Sequence, residues 1–558
     1  MKTLKLIKNI GIGAVALSPI LQASAQKENK QPNVVFILAD DLGWSDLECY
    51  GSNFYETPNI NKLAKQGVMF TDSYAACHVS SPTRGSILTG QYPARTNLTD
   101  WLPGRKDFPF QELKNVYSAQ QLPYGKNNTF VSVLKDNGYK TAIIGKWHLG
   151  EDSLTCENQG FEYHKPYRYL KGWPARSYFS PYNMPGLEDG PEDEYLTDRM
   201  TDEAIGYITE NKDKPFFLYL SHYAVHDPIE GRPDLVKKYE EKLKKMPKPE
   251  GKPFILEGNP DDRNPLTREE LDCMIDTKKY EGFKILPNRT VKIKQFQDNV
   301  QFAAMVESLD ESVGRIMQTL KDLGIEDNTI VIFASDNGGM SAANFGNPGR
   351  IVPKDRLDKS FASSNLPLRG AKGFMYEGGI RVPTIIKWPN QGKSNLVTDI
   401  PVISVDYYPT ILEMVGINTN NLNHIMDGKS LLPILSKKSR NTDNDFKTRP
   451  LYWHFPHYSN HGMQSPGGAI RIGNYKLLDY FENNTVQLFD LSNDIGEQND
   501  LSKQLPDKAK ELKALLDQWR IDVDAQMMPP NKDYNPLANP SSFNTRKQAV
   551  QNPATISK

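Results

Sequence analysis

Five consecutive residues, Ser80-Ser81-Pro82-Thr83-Arg84, set a small hydroxyl beside a pattern built to receive an anion. Pro at a first helical position with Ser just before it is a helix start signal, and Ile87, Leu88 and Gly90 read as a short helix and its exit. A helix amino end presents unpaired backbone N–H groups and partial positive charge, and Arg84, one turn in, adds a planar fork suited to a tetrahedral oxyanion. Taken alone, such a string reads as Ser81 capping a helix. Other residues of the chain argue for chemistry instead.

Asp40 and Asp41 follow one apolar run, and Asp336 and Asn337 follow another about 300 residues later. Three carboxylates and an amide make an oxygen-only set, which suits calcium, or after it magnesium, rather than zinc. Lys146 and His148 stand two apart, so in an extended segment both face one pocket. His226 precedes an Asp-Pro turn, and Lys372 sits in the Gly-rich stretch Arg369-Gly370-Ala371-Lys372-Gly373. Each feature has a plainer reading: Asp after a strand usually makes a turn, and a loop lysine is usually solvated.

These residues need a frame. Asn33 to Ala39, Thr141 to Gly145, Pro215 to Leu220 and Thr329 to Ser335 are apolar on consecutive positions, as strands covered on both faces are. Helical stretches lie between them, at Asn59 to Gln66, Thr129 to Asn137, Thr197 to Asn211 and Asp298 to Leu323; in the last, Asp310 and Glu311 are expected to face outward. The alternation predicts an α/β fold with a mainly parallel, doubly wound sheet sandwiched by helices. In such sheets ligands bind at the carboxyl ends of strands, where the polar residues above fall.

Residues 233–291, rich in Lys, Glu and Pro, read as an insertion over the sheet edge with a lysine-laden helix. From residue 447 the pattern changes to short strands and turns (Leu451 to Phe455, Ala469 to Ile472, Tyr475 to Tyr480, Val486 to Asp490) and one helix from Pro506 to Asp522. That predicts a smaller C-terminal α+β subdomain, 447–527, built on an antiparallel sheet. Residues 528–558 lack apolar periodicity and read as an extended or mobile tail.

Lys2, Lys5 and Lys8, the apolar run from Ile10 to Leu21 and Ala23-Ser24-Ala25 have the three parts of a signal peptide, 1–25, leaving a catalytic domain from 26 to 446. The expected location is exported, periplasmic or secreted, with no membrane span. Removing three lysines and no acid moves the net charge from −1 to −4, which argues against general nucleic-acid binding. Cys49, Cys77, Cys156 and Cys273 have no zinc spacing, and leave both a bridge and free thiols open.

Taken together, the motifs resemble those of the formylglycine-dependent sulfatases of the alkaline phosphatase superfamily, across nearly the whole chain. Ser80 to Arg84 is similar to their C/S-x-P-S/T-R signature in its serine-type form, and Leu88-Thr89-Gly90-Gln91-Tyr92-Pro93 to their second signature. Cys77 lacks a Pro two residues later, so Ser80 alone fits the modified position. The resemblance implies that an anaerobic-type sulfatase-maturating enzyme oxidises Ser80 to formylglycine (3-oxoalanine). It implies calcium held by Asp40, Asp41, Asp336, Asn337 and residue 80, and sulfate surrounded by Arg84, Lys146, His148, His226 and Lys372. His226 would protonate the leaving alcohol and His148 would take the proton that releases sulfate.

The implied activity is hydrolysis of sulfate esters, exo-acting on sulfated glycans such as glycosaminoglycan, mucin or marine polysaccharide fragments. Arg350 and Lys354, in the loop before Arg369, and His454 and His457, in His454-Phe455-Pro456-His457-Tyr458, are the expected sugar contacts. Two alternatives stay open at this point: a phosphomonoesterase or phosphonate hydrolase of the same superfamily, and an inactive glycan-binding homologue that keeps Ser80 unmodified.

Overall fold

The computed structural model describes residues 31–538 apart from 152, 166–171, 175–176, 276–288, 344–359, 440–442 and 462–463. The expected signal peptide, Arg350, Lys354 and residues 539–558 lie outside the described residues.

Eight strands form the central sheet: β1 (Asn33–Ala39), β2 (Val68–Phe70), β3 (Lys140–Gly145), β4 (Tyr163–Lys165), β5 (Phe216–Ser221), β6 (Thr329–Ser335), β7 (Thr384–Lys387) and β8 (Leu396–Thr398). Their order is β8-β2-β7-β6-β1-β5-β3-β4, parallel except for β7, which runs antiparallel to both neighbours. The register sets the site. β1 pairs with β6 from Asn33 opposite Thr329 to Ala39 opposite Ser335, and with β5 up to Leu38 opposite Ser221. Residues just past these strands therefore emerge level, at one edge of the sheet.

Successive residues of β1 serve opposite cores. Val35, Ile37 and Ala39 pack with α1 (Pro58–Gln66), while Val34, Phe36 and Leu38 face α2 (Ser80–Thr89) and α3 (Phe130–Asp136). The first face also buries α4 (Leu196–Asn211), and α5 (Pro233–Lys245) and α6 (Val300–Asp322) complete that side, whereas α7 (Tyr407–Met414) covers the second.

Asp310 corrects the expectation for α6. It is 1% exposed and points inward, accepting the backbone N–H of Asn59 at 3.1 Å and of Ile60 at 2.7 Å. Thr57, before α1, makes no side-chain cap, so a carboxylate from α6 caps α1 across the interface. Glu311 does face out, paired with Arg232 at 2.7 Å. The lysine-laden α5 also differs: it lies along α6 rather than over the sheet edge, burying Leu235 and Tyr239, with Lys238 bridging Glu56 and Glu307.

The C-terminal unit is a four-stranded antiparallel sheet in sequence order, β9 (Leu451–Phe455), β10 (Gly467–Ile472), β11 (Tyr475–Tyr480) and β12 (Val486–Asp490). Leu512, Leu516 and Trp519 of α8 (Pro506–Asp522) join a core with Leu477, Leu488 and the loop residues Phe374 and Tyr376. A buried ion network welds this unit to the main domain: Glu377 takes the Tyr74 hydroxyl at 2.7 Å and Lys476 at 2.9 Å, and Lys476 also meets Glu497 at 2.9 Å. Residues 528–538 pack against 109–114 through two turns, with the Lys114 and Asn531 amides bonded across to Pro529 and Glu112. The four cysteines are free thiols.

Candidate active site

α2 starts at Ser80, two residues earlier than the Pro82 signal suggests, and its cap position is Val79 in extended conformation. Neither serine caps the helix. Ser81 Oγ accepts the Leu102 N–H at 3.1 Å, and Thr83 donates to the Cys77 carbonyl at 2.9 Å. All ten residues of α2 are buried, and Gly90 ends it in the left-handed conformation, φ 66°.

Ser80 Oγ lies 3.3 Å from Asp40 Oδ1, 3.2 Å from Asn337 Oδ1 and 3.1 Å from Lys146 Nζ. Around it each carboxylate meets a cation. Lys146 binds Asp40 at 2.6 Å, Lys372 binds Asp41 at 2.7 Å, and Arg84 binds Asp336 through Nε and Nη2, both at 2.8 Å. Arg84 Nη1 donates to Ser221 Oγ at 2.6 Å, and Ser221 Oγ donates to the Lys146 carbonyl at 2.8 Å, so the end of β5 orients the guanidinium. Gly145, at φ 101°, turns the chain toward Lys146; a Cβ there would stand 2.1 Å from the Ser221 carbonyl oxygen.

The charges move one another. Burial pushes the Asp40 carboxyl up, with Lys146 opposing, while Arg84 and Lys146 hold Asp336 well below the carboxylate range against the effect of burial. Burial lowers Lys146 despite Asp40; Lys372, though buried, is held up by Asp41 and Asp40.

The two imidazoles are displaced in opposite directions. Burial, and then Lys146, hold His148 well below its ordinary value; its Nε2 donates to the Leu102 carbonyl at 2.8 Å, which leaves a lone pair on Nδ1. Gly172 lies against that nitrogen, where a Cβ would approach to 2.2 Å. Burial and Lys372 also press on His226, but Asp41, Asp227 and Asp40 outweigh them and raise it. Its Nδ1 donates to the Asp227 carbonyl at 2.8 Å, and Nε2 stands 3.6 Å from Asp41.

The donor set fits a hard divalent cation. Asp40, Asp41, Asp336 and Asn337 are buried and converge with oxygen ligands beside Ser80, and Asp40, Asp41 and His226 each bring a ligand atom within 4.8 Å of the others.

Two sequence expectations are corrected. His454 is 4% exposed and bonded through Nε2 to the Gln526 carbonyl at 2.9 Å; His457 is 2% exposed and bonded to Thr99 Oγ1 at 2.9 Å. Burial lowers both to about 3, so they are neutral joints between the C-terminal sheet and its neighbours rather than sugar-facing groups. His461 packs on the Lys372 loop, and no local sequence signal marks it. Trp101 and Trp173, ring centroids 6.5 Å apart, adjoin in sequence Leu102 and Gly172, the two residues that contact His148.

A doubly wound sheet whose strand exits gather three carboxylates, three cations and a hydroxyl at a helix start defines an alkaline phosphatase-like hydrolase of tetrahedral oxyanion esters. Within that class the chain belongs to the sulfatase family: the sulfatase family model matches residues 32–417, and a model for the C-terminal part of N-sulphoglucosamine sulphohydrolase matches 371–522. It is a sulfuric ester hydrolase. It is 30% identical to a sulfatase of Formosa agariphila, over 93% of this chain and 94% of that one. It is 27% identical to an N-acetylglucosamine-6-O-sulfatase of Bacteroides thetaiotaomicron, over 90% of this chain and 89% of that one. Among solved structures, Ps i-CgsB in complex with k-i-k-neocarrahexaose is similar at 26% identity and a TM-score of 0.62, covering 88% of this chain and 93% of that one.

Proposed function

We propose that the protein is an exported, exo-acting sulfatase of glycan fragments whose nucleophile is formylglycine made from Ser80 by an anaerobic-type maturating enzyme. The observation that carries the reading is the position of Ser80, at the first turn of a buried helix and within 3.3 Å of Asp40, Asn337 and Lys146. Its signature, and relatives named for sulfated amino sugars, support the glycan class.

Formylglycine supplies, as its hydrate, two hydroxyls on one carbon, one to attack sulfur and one to drive sulfate out. Asp40, Asp41, Asp336, Asn337 and residue 80 would hold calcium, which supplies charge neutralisation on sulfuryl oxygens. Arg84, Lys146 and Lys372 act on the same oxygens, at about 3–4 kcal/mol for each well-aimed donor. His226 carries a proton at Nε2, between Asp41 and the leaving-group side, and gives it to the departing alcohol. His148 accepts a proton at Nδ1, the nitrogen its bond to Leu102 leaves free for that task. In this reading residues 26–446, with the 233–291 insertion, are the catalytic domain, 447–527 the subdomain beside the site, and 528–558 the tail.

Mass spectrometry of the peptide spanning residue 80, from protein made in a host with the maturating enzyme, should show the loss of two hydrogens. Turnover of sulfated saccharides by that material, with little on an aryl phosphate, is the expected companion result. An unmodified Ser80 in fully active protein would overturn the reading.

A further inference from the structure

His461 lies between β9 and β10, in the segment that faces the Lys372 loop. It is 2% exposed, and neither ring nitrogen has a hydrogen-bond partner among the described residues. Burying an imidazole with both nitrogens unsatisfied is unfavourable, so such a ring invites a partner from outside the chain. Its surroundings say which side of the site that partner occupies. A Cβ on Gly373 would come within 2.5 Å of His461 Cβ and Nδ1, so the ring packs directly on the residue after Lys372. After burial, the groups that act on its charge are Lys372, His78, Asp227 and His226.

The segment is also held in place. The His461 amide donates to Ser459 Oγ at 3.1 Å, and Arg105 donates to the Tyr458 and Ser459 carbonyls at 3.0 and 2.7 Å. A firmly placed neutral ring offers one N–H and one lone pair. It can therefore read a hydroxyl as both donor and acceptor, which Lys372 beside it cannot do.

We propose that His461 hydrogen-bonds a free hydroxyl of the sugar that carries the sulfate, on the leaving-group side of the site. This rests on the glycan-sulfatase reading above and deepens it: the substrate class is a sulfated saccharide with a hydroxyl near the esterified carbon. An aryl sulfate without such a hydroxyl bypasses the contact.

The test compares matured wild type with His461→Ala and His461→Asn on a panel of sulfated monosaccharides and on 4-nitrophenyl sulfate. For the best saccharide, kcat/KM should fall about 10- to 100-fold in His461→Ala, mostly through KM, and recover in part in His461→Asn. Aryl sulfate turnover should stay within about twofold, which also shows that the variant is folded. Equal losses on both substrates would make His461 a support for the Lys372 loop, and no loss on the saccharide would make it a bystander; either overturns the proposal. Calorimetry in a Ser80→Ala background separates the two layers of the argument. Saccharide that binds Ser80→Ala but binds Ser80→Ala/His461→Ala as tightly overturns the contact alone. No saccharide binding at all, with aryl sulfate still hydrolysed by wild type, overturns the glycan reading and the contact with it.

Discussion

Lys146 Nζ sits 2.6 Å from Asp40 Oδ2 and 3.1 Å from Ser80 Oγ, so one ammonium links a carboxylate of the first strand exit to the hydroxyl at the start of α2. The link exists because β1, β5 and β3 run parallel and in register, which brings residues more than a hundred positions apart to one height.

Replacing Lys146 by Ala removes the proposed donor to the sulfuryl oxygens and leaves Asp40 buried without its nearest cation. We expect kcat to fall about 10²- to 10³-fold on aryl sulfate. A steady-state assay on matured protein checks this, and a variant within a few-fold of wild type would exclude Lys146 from the charge-neutralising set.

Chelation should abolish turnover and calcium should restore it. The fold should survive, because Arg84, Lys146 and Lys372 each pair with a site carboxylate at 2.6–2.8 Å and so balance its charge. Circular dichroism and activity after EDTA treatment, then after calcium addition, measure both halves.

Asp310→Ala should destabilise without touching chemistry. It strips the Asn59 and Ile60 amides of their acceptor at the first turn of α1, a loss of about 1–3 kcal/mol. Denaturant unfolding reads the shift, and the kcat of the surviving folded fraction should match wild type.

Glu497 gives a pH dependence of stability. Burial pushes its carboxyl up to about 7 from 4.5, against the pull of Lys476, while Glu377 beside it is held low by Lys476 and Arg381 despite its own burial. A carboxyl raised in the folded state contributes stability that is present below its unfolded value and lost as pH rises through its folded one. Between about pH 4.5 and 7 the ionisation of this group should lower stability. Glu497→Gln keeps an acceptor for the Glu377 amide, now 2.7 Å away, and removes the ionisation. The stability of Glu497→Gln should therefore fall less than that of wild type between pH 5 and pH 8; identical slopes would count against the assignment.

The sequence by itself determined the frame and most of the residues that cluster at the proposed site. Consecutive apolar β-branched runs fix strands buried on both faces, and β1 and β6 span the residues their composition predicts. Ser80, Arg84, Asp40, Asp41, Asp336, Asn337, Lys146, His148, His226 and Lys372 were legible because each stands at a strand exit or in a motif, and the structure brings all ten into one buried cluster. Only the tertiary structure decided what depends on partners distant in sequence. Asp310 reads as a surface residue of an amphipathic helix until α1 docks and presents its amide groups. His454, His457 and His461 are indistinguishable as letters within eight residues; packing gives the first two a carbonyl and a hydroxyl, and leaves the third without a hydrogen-bond partner among the described residues, against the Lys372 loop. Local periodicity records which face of an element is apolar, whereas the partner that a polar group finds is set by contacts between elements, which no local pattern encodes.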